Sequence, residues 1–356
     1  MTPLDAEQAR ALHHDVFVFD GHNDLAMSLR RGESIEDRDG RGHLDLVRMR
    51  AGGLDGGIFA VFIDPDPQLE DPFDRTLDGL RHLRETLEAR RDVRLVLTAA
   101  DASAAWSDRS GEVVYALIGV EGGYAIEDDL GTADDLFDAG MRCLTLTWNE
   151  PTAWADAAGT SVHGGLTGFG RRLVEHLQDL GVLIDLSHAS DDVTRQVTER
   201  AERPVVASHS GMRRLAPLPR NIPETLLEAI AETGGLTGVS FFNGHLSAEF
   251  EQRCAPLRAR KYDMERMARA VREEVGTLPM STLVDHVRHA ARIVGASHVG
   301  LGSDFDGMWA PPEGLEDAAR LPDLSAALGE AGLFDAEGLE SFLGANWIRV
   351  LKASLP

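Results

Sequence analysis

Lysine and cysteine are scarce in this sequence, and each scarcity disfavours a class of chemistry. Only two of the 35 basic residues are lysines, Lys261 and Lys352, and neither lies at the end of an apolar run. A Schiff-base enzyme or a P-loop needs a well-placed lysine, so both are disfavoured. The two cysteines, Cys143 and Cys254, are too few for a disulfide framework, and we therefore expect a reducing, cytoplasmic environment.

Positive charge and long apolar runs are also lacking. The 356 residues include 35 lysines and arginines against 59 acids, a formal net charge of −24. Such an acidic surface suits neither nucleic-acid phosphates nor an anionic membrane. No apolar run approaches the roughly 20 residues of a membrane-spanning helix, and the acidic N-terminus lacks the order of a secretory signal. These features predict a soluble cytoplasmic protein with no nucleic-acid or membrane partner.

Short apolar runs that alternate with helical patterns make up most of the chain. Eight runs have the length and β-branched content of buried parallel strands, namely 16–20, 57–63, 113–120, 143–148, 182–186, 204–207, 236–242 and 299–303. Eight strand–helix units predict a single catalytic domain over residues 1–356, an α/β protein with a (β/α)8 TIM barrel. An open, doubly wound sheet is the alternative, but no G-x-G-x-x-G motif follows the first run.

Two further segments do not belong to the eightfold pattern. A ninth apolar run, 93–98, is interpreted as an extra short strand before the third barrel strand. Residues 245–276 are charged and have helical spacing, which indicates a helical insertion after the seventh strand. The charges of this insertion are more typical of a solvated helix face than of a binding site.

Metal-binding and acidic side chains follow five of the predicted strands at their carboxyl ends. These residues are His22, Asp24, Glu121, His188, His209 and Asp304. Each one alone has a structural explanation, such as a turn, a helix cap or a hydrogen-bonded core histidine. Because the carboxyl ends of barrel strands meet at one face, the set together predicts two metal ions that share a carboxylate, and hence metal-assisted hydrolysis. Asp304 is preferred to Asp306, because an Asp-Gly pair is typical of a turn.

The chain resembles the membrane (renal) dipeptidase family of metallopeptidases, within the metal-dependent amidohydrolase superfamily. The resemblance rests on motifs in family order across nearly the whole chain: D-G-H-N-D (20–24), E-G-G (121–123), L-T-L-T (144–147), D-L-S-H (185–188), A-S-H-S (207–210), R-N-I-P (220–223) and G-S-D-F-D-G (302–307). It implies a zinc-dependent (β/α)8 barrel that hydrolyses small L,L or L,D dipeptides through a hydroxide bridging two Zn²⁺. It also suggests a homodimer.

The resemblance assigns roles to individual residues. One zinc would be held by His22 and Asp24, the other by His188 and His209, and Glu121 would bridge the two ions. No lysine is placed to serve as a carboxylated bridging residue, which agrees with a glutamate bridge. Two further roles follow by motif: Arg220 would bind the terminal carboxylate of the substrate, and Asp304 would orient the hydroxide and pass its proton to the leaving amine.

One position departs from the family pattern. Trp148 stands directly after L-T-L-T, where many members carry a histidine that binds the substrate carbonyl and the oxyanion. An indole donates one hydrogen bond but carries no charge and exchanges no proton at neutral pH. Trp148 therefore motivates an alternative, a dizinc amidohydrolase acting on a lactam, a lactone or an N-acyl amino acid. His163 is a candidate substitute for the absent histidine, although a purely structural role is the simpler interpretation. A non-catalytic barrel is disfavoured by the complete ligand set.

Overall fold

The strands of this computed structural model form one sheet in which every strand pairing is parallel. The structure describes residues 2–66, 68–69, 71–108 and 110–356. The strands are β1 (Phe19–Asn23), β2 (Gly56–Phe62), β3 (Val93–Leu95), β4 (Val114–Glu121), β5 (Cys143–Thr145), β6 (Leu183–Asp185), β7 (Val206–Ser210), β8 (Leu236–Val239) and β9 (Val299–Leu301).

Pairing between β2 and β4 closes the sheet. Seven consecutive residue pairs, from Gly56 with Tyr115 to Phe62 with Glu121, join these two strands. The closed ring runs β2-β1-β9-β8-β7-β6-β5-β4. Within the described chain, β3 pairs with the amino-terminal half of β4, ahead of the residues of β4 that pair with β5. The predicted (β/α)8 barrel and the extra short strand are therefore confirmed, and the open-sheet alternative is wrong.

Helices connect and cover the strands. They are α1 (Ala6–Asp15), α2 (Leu25–Arg30), α3 (Leu46–Ala51), α4 (Pro72–Glu88), α5 (Ala99–Ser107), α6 (Leu130–Asp138), α7 (Gly168–Leu180), α8 (Asp191–Thr198), α9 (Glu224–Glu232), α10 (Asn243–Leu246), α11 (Ala248–Arg258), α12 (Met264–Glu274), α13 (Met280–Val294), α14 (Leu321–Glu330), α15 (Ala336–Glu340) and α16 (Asn346–Ser354). Helices α10, α11 and α12 lie between β8 and β9, within or beside the segment interpreted as an insertion. Among the described helices, none is long and apolar enough to cross a membrane.

The barrel interior changes from apolar to polar along each strand. In β4, Leu117 and Glu121 share one face because they are an even number of residues apart. Leu117 packs in a buried apolar cluster with Phe19, Leu183 and Leu236 of other strands and Trp347 of α16. This cluster fills the amino-terminal part of the barrel, so the polar side chains converge at the carboxyl ends of the strands.

The first strand begins later than the sequence pattern predicts. The prediction was 16–20, whereas β1 comprises Phe19–Asn23. Val16 and Phe17 pack in the core ahead of the strand, and the Val18 carbonyl accepts the first hydrogen bond from β2. The strand extends to Asn23, so His22 is a strand residue. Trp347 packs so closely over Gly21 that a Cβ atom there would lie 2.0 Å from the indole Cζ2 atom. Glycine at this position is what lets α16 approach the barrel.

His13 makes folding stability depend on pH. Its Nδ1 lies 2.7 Å from Ser325 Oγ and its Nε2 lies 2.8 Å from the Gly52 carbonyl oxygen, which suits a neutral ring. Burial lowers the pKa of His13 to about 4. The unfolded chain, with an ordinary histidine pKa of about 6.5, binds a proton that the folded chain does not. The neutral His13 ring therefore contributes fully to the free energy of unfolding above pH 6.5, and this contribution is lost as the pH falls towards 4.

We predict that His13→Gln reduces the pH dependence of the unfolding free energy. Between pH 7 and pH 5, metal-free wild type should lose about 2 kcal/mol through His13, and the variant should not. Urea denaturation at both pH values measures the difference. The exposed neighbour provides a control, since His14→Gln should behave as wild type. An unchanged pH dependence in His13→Gln would contradict the assignment.

Candidate active site

Hydrogen bonds between β1 and the segment after β9 position His22, Asp24 and Asp304. The Asp20 carboxylate accepts hydrogen bonds from the backbone N–H and the hydroxyl of Ser303, at 2.7 and 2.6 Å. The backbone N–H of Asp304 donates to the His22 carbonyl at 3.0 Å, and that of Asp24 donates to the Phe305 carbonyl at 2.8 Å. The first and last barrel strands therefore hold these three side chains at one end of the barrel.

The carboxylate of Glu121 lies among three imidazoles. Glu121 Oε1 is 3.2 Å from His188 Nε2 and 3.6 Å from His209 Nε2. Its other oxygen, Oε2, is 3.7 Å from His22 Nε2, which is itself 3.5 Å from Asp24 Oδ2. The five predicted ligands thus form two groups that share Glu121, one with His22 and Asp24 and one with His188 and His209.

Unpartnered buried atoms show that this cluster suits metal ions. His22 Nε2 and Asp24 Oδ1 are fully buried and have no hydrogen-bond partner among the described residues. Burying such atoms without a partner is costly, and a divalent cation would satisfy both. A Cβ atom at Gly307 would lie 2.2 Å from Asp24 Oδ2, so glycine at 307 leaves room for this carboxylate. Mixed imidazole and carboxylate donors are ligands that Zn²⁺ accepts.

Electrostatics in the cluster favour the metal-binding protonation state at Glu121, His188 and His209. Burial opposes ionisation of Glu121, but His22 and His188 together hold the pKa of its carboxyl below the ordinary value. Burial, followed by the charge of Arg220, lowers the pKa of His188 to about 4. Burial also lowers the pKa of His209 well below its usual range. An ionised glutamate and neutral histidines are the forms that act as ligands. At His22 burial is outweighed by Glu121 and Asp24, which raise the pKa of the imidazole well above its ordinary value, so a metal ion bound there would displace a proton.

His188 and Asp304 have left-handed backbone conformations, with φ of 66° and 64°. Such conformations cost non-glycine residues on the order of 1–3 kcal/mol and concentrate at functional sites. Asp304 is buried, and its carboxylate has no hydrogen bond to any of the residues described. The neighbouring Asp306 instead pairs with Arg38 and accepts a hydrogen bond from the His43 backbone N–H at 2.6 Å. The carboxyl group of Asp306 is thus engaged in ion pairing and hydrogen bonding, whereas that of Asp304 faces the cavity beside the cluster.

A cavity of about 620 Å³ opens onto the cluster and contains both predicted substrate-binding residues. Arg220 donates to the His209 carbonyl at 2.8 Å and to Ser210 Oγ at 3.1 Å, and its Nε is buried without a partner among the described residues. The Trp148 ring packs edge-on against Phe62, with 4.8 Å between ring centroids, and its centroid is 6.3 Å from that of His188. Trp148 thus occupies the cavity wall beside a predicted ligand.

Sequence reasoning missed two residues of this site. His245 lines the cavity, with Nδ1 3.0 Å from Ser240 Oγ, and Asn149 Oδ1 lies 3.0 Å from His188 Nδ1. In the sequence, the only indication that Asn149 belongs to the site was its position directly after Trp148. His163 does not substitute for the absent histidine, because its Nε2 lies 3.0 Å from the Thr152 carbonyl and the residue is not part of the cavity lining. Its role is structural.

The barrel and the histidine–carboxylate cluster at its carboxyl end are those of a metal-dependent hydrolase. The family model for membrane dipeptidases, peptidase family M19, matches residues 6–354, and the chain belongs to this family. The predicted resemblance and the predicted metallo-dipeptidase class are confirmed.

Relatives and solved structures agree with this assignment. Dipeptidase 3 of Mus musculus is 31% identical over 362 residues, which cover 98% of this chain and 67% of the relative. The crystal structure of dipeptidase AC, an M19 metallopeptidase, has a TM-score of 0.81 and 30% identity, covering 96% of this chain and 99% of that one. A metallopeptidase from Rhodobacter sphaeroides liganded with a phosphinate mimic of L-Ala-D-Ala has a TM-score of 0.80 and 28% identity, covering 96% and 99%.

We predict that Glu121→Gln removes most of the stabilisation that zinc gives to the fold. The substitution keeps the side-chain volume but removes the negative charge of the carboxylate that belongs to both ligand groups. At zinc a hundredfold above Kd, wild type should gain about 2.7 kcal/mol of unfolding free energy per site. Urea denaturation with and without zinc measures the gain. The control is Glu127→Gln, at an exposed acid, which should be stabilised by zinc as much as wild type. If zinc stabilised Glu121→Gln equally, Glu121 would not be a ligand of both metal ions.

Proposed function

We propose that this protein is a dizinc dipeptidase that hydrolyses the peptide bond of small L,L or L,D dipeptides. The observation that carries the proposal is the position of Glu121 between two ligand groups, beside a cavity that contains Arg220. A cavity of about 620 Å³ suits a small ligand. The relative that binds a mimic of L-Ala-D-Ala supports the same substrate class and stereochemistry.

His22 and Asp24 would hold one zinc ion and His188 and His209 the other, with Glu121 as ligand to both. When bound, two such ions supply Lewis acidity and lower the pKa of a water molecule. The protein contributes fixed ligands, because each imidazole has a polar neighbour on its Nδ1 side. This neighbour is Asn149 for His188 and Ser208 for both His209 and His22. The protein also contributes a nearly closed site, since all five ligands are buried.

Asp304 would handle the proton of the attacking water. Burial, followed by the nearby charges of Asp24 and Glu121, raises the pKa of the Asp304 carboxyl well above its ordinary value, although His22 and Arg220 oppose this shift. A carboxyl group with a raised pKa can accept a proton and return it near neutral pH. Asp304 would therefore take the proton from the water and deliver it to the amine that leaves.

Arg220 would bind the terminal carboxylate of the dipeptide. Its guanidinium lies in the cavity, and its buried Nε has a hydrogen-bond capacity that no described residue uses. A planar guanidinium pairs with a carboxylate through two parallel hydrogen bonds. This anchor would place the preceding carbonyl group towards the ligand cluster and would favour dipeptides with a free carboxylate over the corresponding amides.

Trp148 supports a second candidate function on the same scaffold. Its indole occupies the cavity wall, where it offers a single N–H donor and a broad apolar surface. A broad apolar wall suits the ring of a lactam or lactone, or the acyl group of an N-acyl amino acid, better than the charged amino group of a dipeptide. We retain this dizinc amidohydrolase as the alternative, together with a cytoplasmic location and a homodimer as further proposals.

We predict that Arg220→Ala lowers kcat/KM for dipeptides by about 10²- to 10⁴-fold, the value of two hydrogen bonds to a charged group. Hydrolysis of the matching dipeptide amides should change little. Amino acid release from paired acids and amides measures the ratio. Arg195→Ala, at an exposed arginine, is the control. Equal losses on acids and amides would mean that Arg220 only supports His209.

A substrate panel tests the two candidate functions against each other. Zinc-loaded wild type should release amino acids from L,L or L,D dipeptides, and His209→Ala should abolish this turnover because it removes a ligand. Cleavage of lactams, lactones or N-acyl amino acids without dipeptide cleavage would favour the alternative. Retention of dipeptide turnover by His209→Ala would contradict both.

A further inference from the structure

A buried serine hydroxyl contacts two of the metal-ligand histidines on the side opposite their Nε2 atoms. Ser208, on β7, has no solvent exposure. Its Oγ lies 2.9 Å from His209 Nδ1, 3.5 Å from His22 Nδ1 and 2.6 Å from Asp185 Oδ2. The two histidines come from β1 and β7, and their rings are tilted by 32° with centroids 3.9 Å apart. One hydroxyl thus adjoins a ligand from each of the two metal groups.

The hydrogen bonds of Asp185 fix the direction of the Ser208 hydroxyl. Asp185 Oδ1 accepts from the backbone N–H groups of Ser187 and Ser208, at 3.0 and 2.7 Å. Its Oδ2 accepts from the Thr145 hydroxyl at 2.6 Å. Two backbone N–H groups and two hydroxyls around one carboxylate suit a group that accepts hydrogen bonds from all four. The Ser208 hydrogen therefore points to Asp185, and the lone pairs of Ser208 Oγ are left for other donors.

The histidine Nδ1 atoms are the donors that match these lone pairs. His209 Nδ1–H donates to Ser208 Oγ at 2.9 Å, and His22 Nδ1–H lies at the long end of hydrogen-bond range. The Ser187 hydroxyl, 3.3 Å from Ser208 Oγ, accepts from the His209 backbone N–H at 3.0 Å. With the proton on Nδ1, each ring presents the Nε2 lone pair to the cluster around Glu121.

We propose that Asp185 and Ser208 are positioning residues that fix the Nδ1–H tautomer of His209 and His22. One buried carboxylate would thereby orient ligands of both metal ions through one hydroxyl. The proposal rests on the dizinc centre proposed above. It differs from the support of His188, which has its own partner in Asn149. Removal of the Ser208 hydroxyl should therefore weaken the binding of both metal ions, whereas removal of the Asn149 side chain should weaken the binding of one.

Substitution at Asp185 has a specific consequence. In Asp185→Asn the amide nitrogen can donate to Ser208 Oγ, so the hydroxyl hydrogen turns to His209 Nδ1. That arrangement favours the Nε2–H tautomer, in which the nitrogen facing Glu121 carries a proton and cannot bind metal. Asp185→Asn should therefore be as harmful as Ser208→Ala, and the double variant should be no worse than either.

Zinc titration against a chromophoric chelator tests the proposal without reference to activity. Ser208→Ala and Asp185→Asn should weaken both binding steps by about 10- to 100-fold, and Asn149→Ala should weaken only one. Thr237→Val is the matched control, because it removes a buried hydroxyl that has no partner among the described residues. Its zinc affinity should match wild type. Unchanged affinity in Ser208→Ala would overturn the proposal.

Histidine tautomers in the wild-type protein give a measurement that does not depend on the folding of a variant. In ¹⁵N-histidine spectra, His209 should carry its proton on Nδ1 with and without zinc, and His22 should do so in the zinc-loaded protein. A proton on Nε2 of His209 would overturn the proposal. Failure of wild type to bind two zinc ions would contradict the dizinc centre instead, and the metal-free spectrum of His209 would still decide the positioning role.

Discussion

The ionised carboxylate of Glu121, surrounded by three imidazole nitrogens, is the constraint on which the rest of the structure depends. A buried carboxylate needs compensating positive charge or hydrogen bonds. Here the nearest side-chain neighbours are His22, His188 and His209, which leave space and lone pairs for cations. The strand that delivers Glu121 also closes the barrel, since the pairing of Phe62 with Glu121 is the last of the β2–β4 ladder. Barrel closure and the metal centre therefore depend on the same strand.

Two buried aspartate–serine pairs hold together the strands that carry the predicted metal ligands. Asp20 and Ser303 join β1 to the segment after β9, and Asp185 and Ser208 join β6 to β7. Both pairs use a carboxylate that is saturated or nearly saturated by hydroxyl and backbone donors. Among the described residues, ligand atoms such as His22 Nε2 have no hydrogen-bond partner. The supporting aspartates therefore have hydrogen-bond donors at both carboxylate oxygens, whereas the ligands keep atoms free for metal ions, as expected of a preorganised site.

Much of this architecture was predictable from sequence because a parallel barrel leaves a strong periodic signal. The eight apolar runs, the extra strand at 93–98 and the convergence of His22, Glu121 and His209 all follow from strand length and from the geometry of strand ends. Boundaries were less predictable, as β1 shows, because apolar residues before a strand can pack in the core without pairing. The supporting contacts of Asn149, Ser208 and His245 were missed, since they depend on side-chain directions that no spacing encodes. The left-handed φ of His188 was equally invisible in the sequence.

The central claim is that Glu121 is a ligand common to two metal ions. Anomalous X-ray diffraction at the zinc absorption edge, from crystals of the zinc-loaded protein, tests it most directly. The account predicts two zinc peaks about 3.5–4 Å apart, one beside His22 and Asp24 and one beside His188 and His209, with one Glu121 oxygen on each. A single peak, or two peaks that Glu121 does not join, would contradict it.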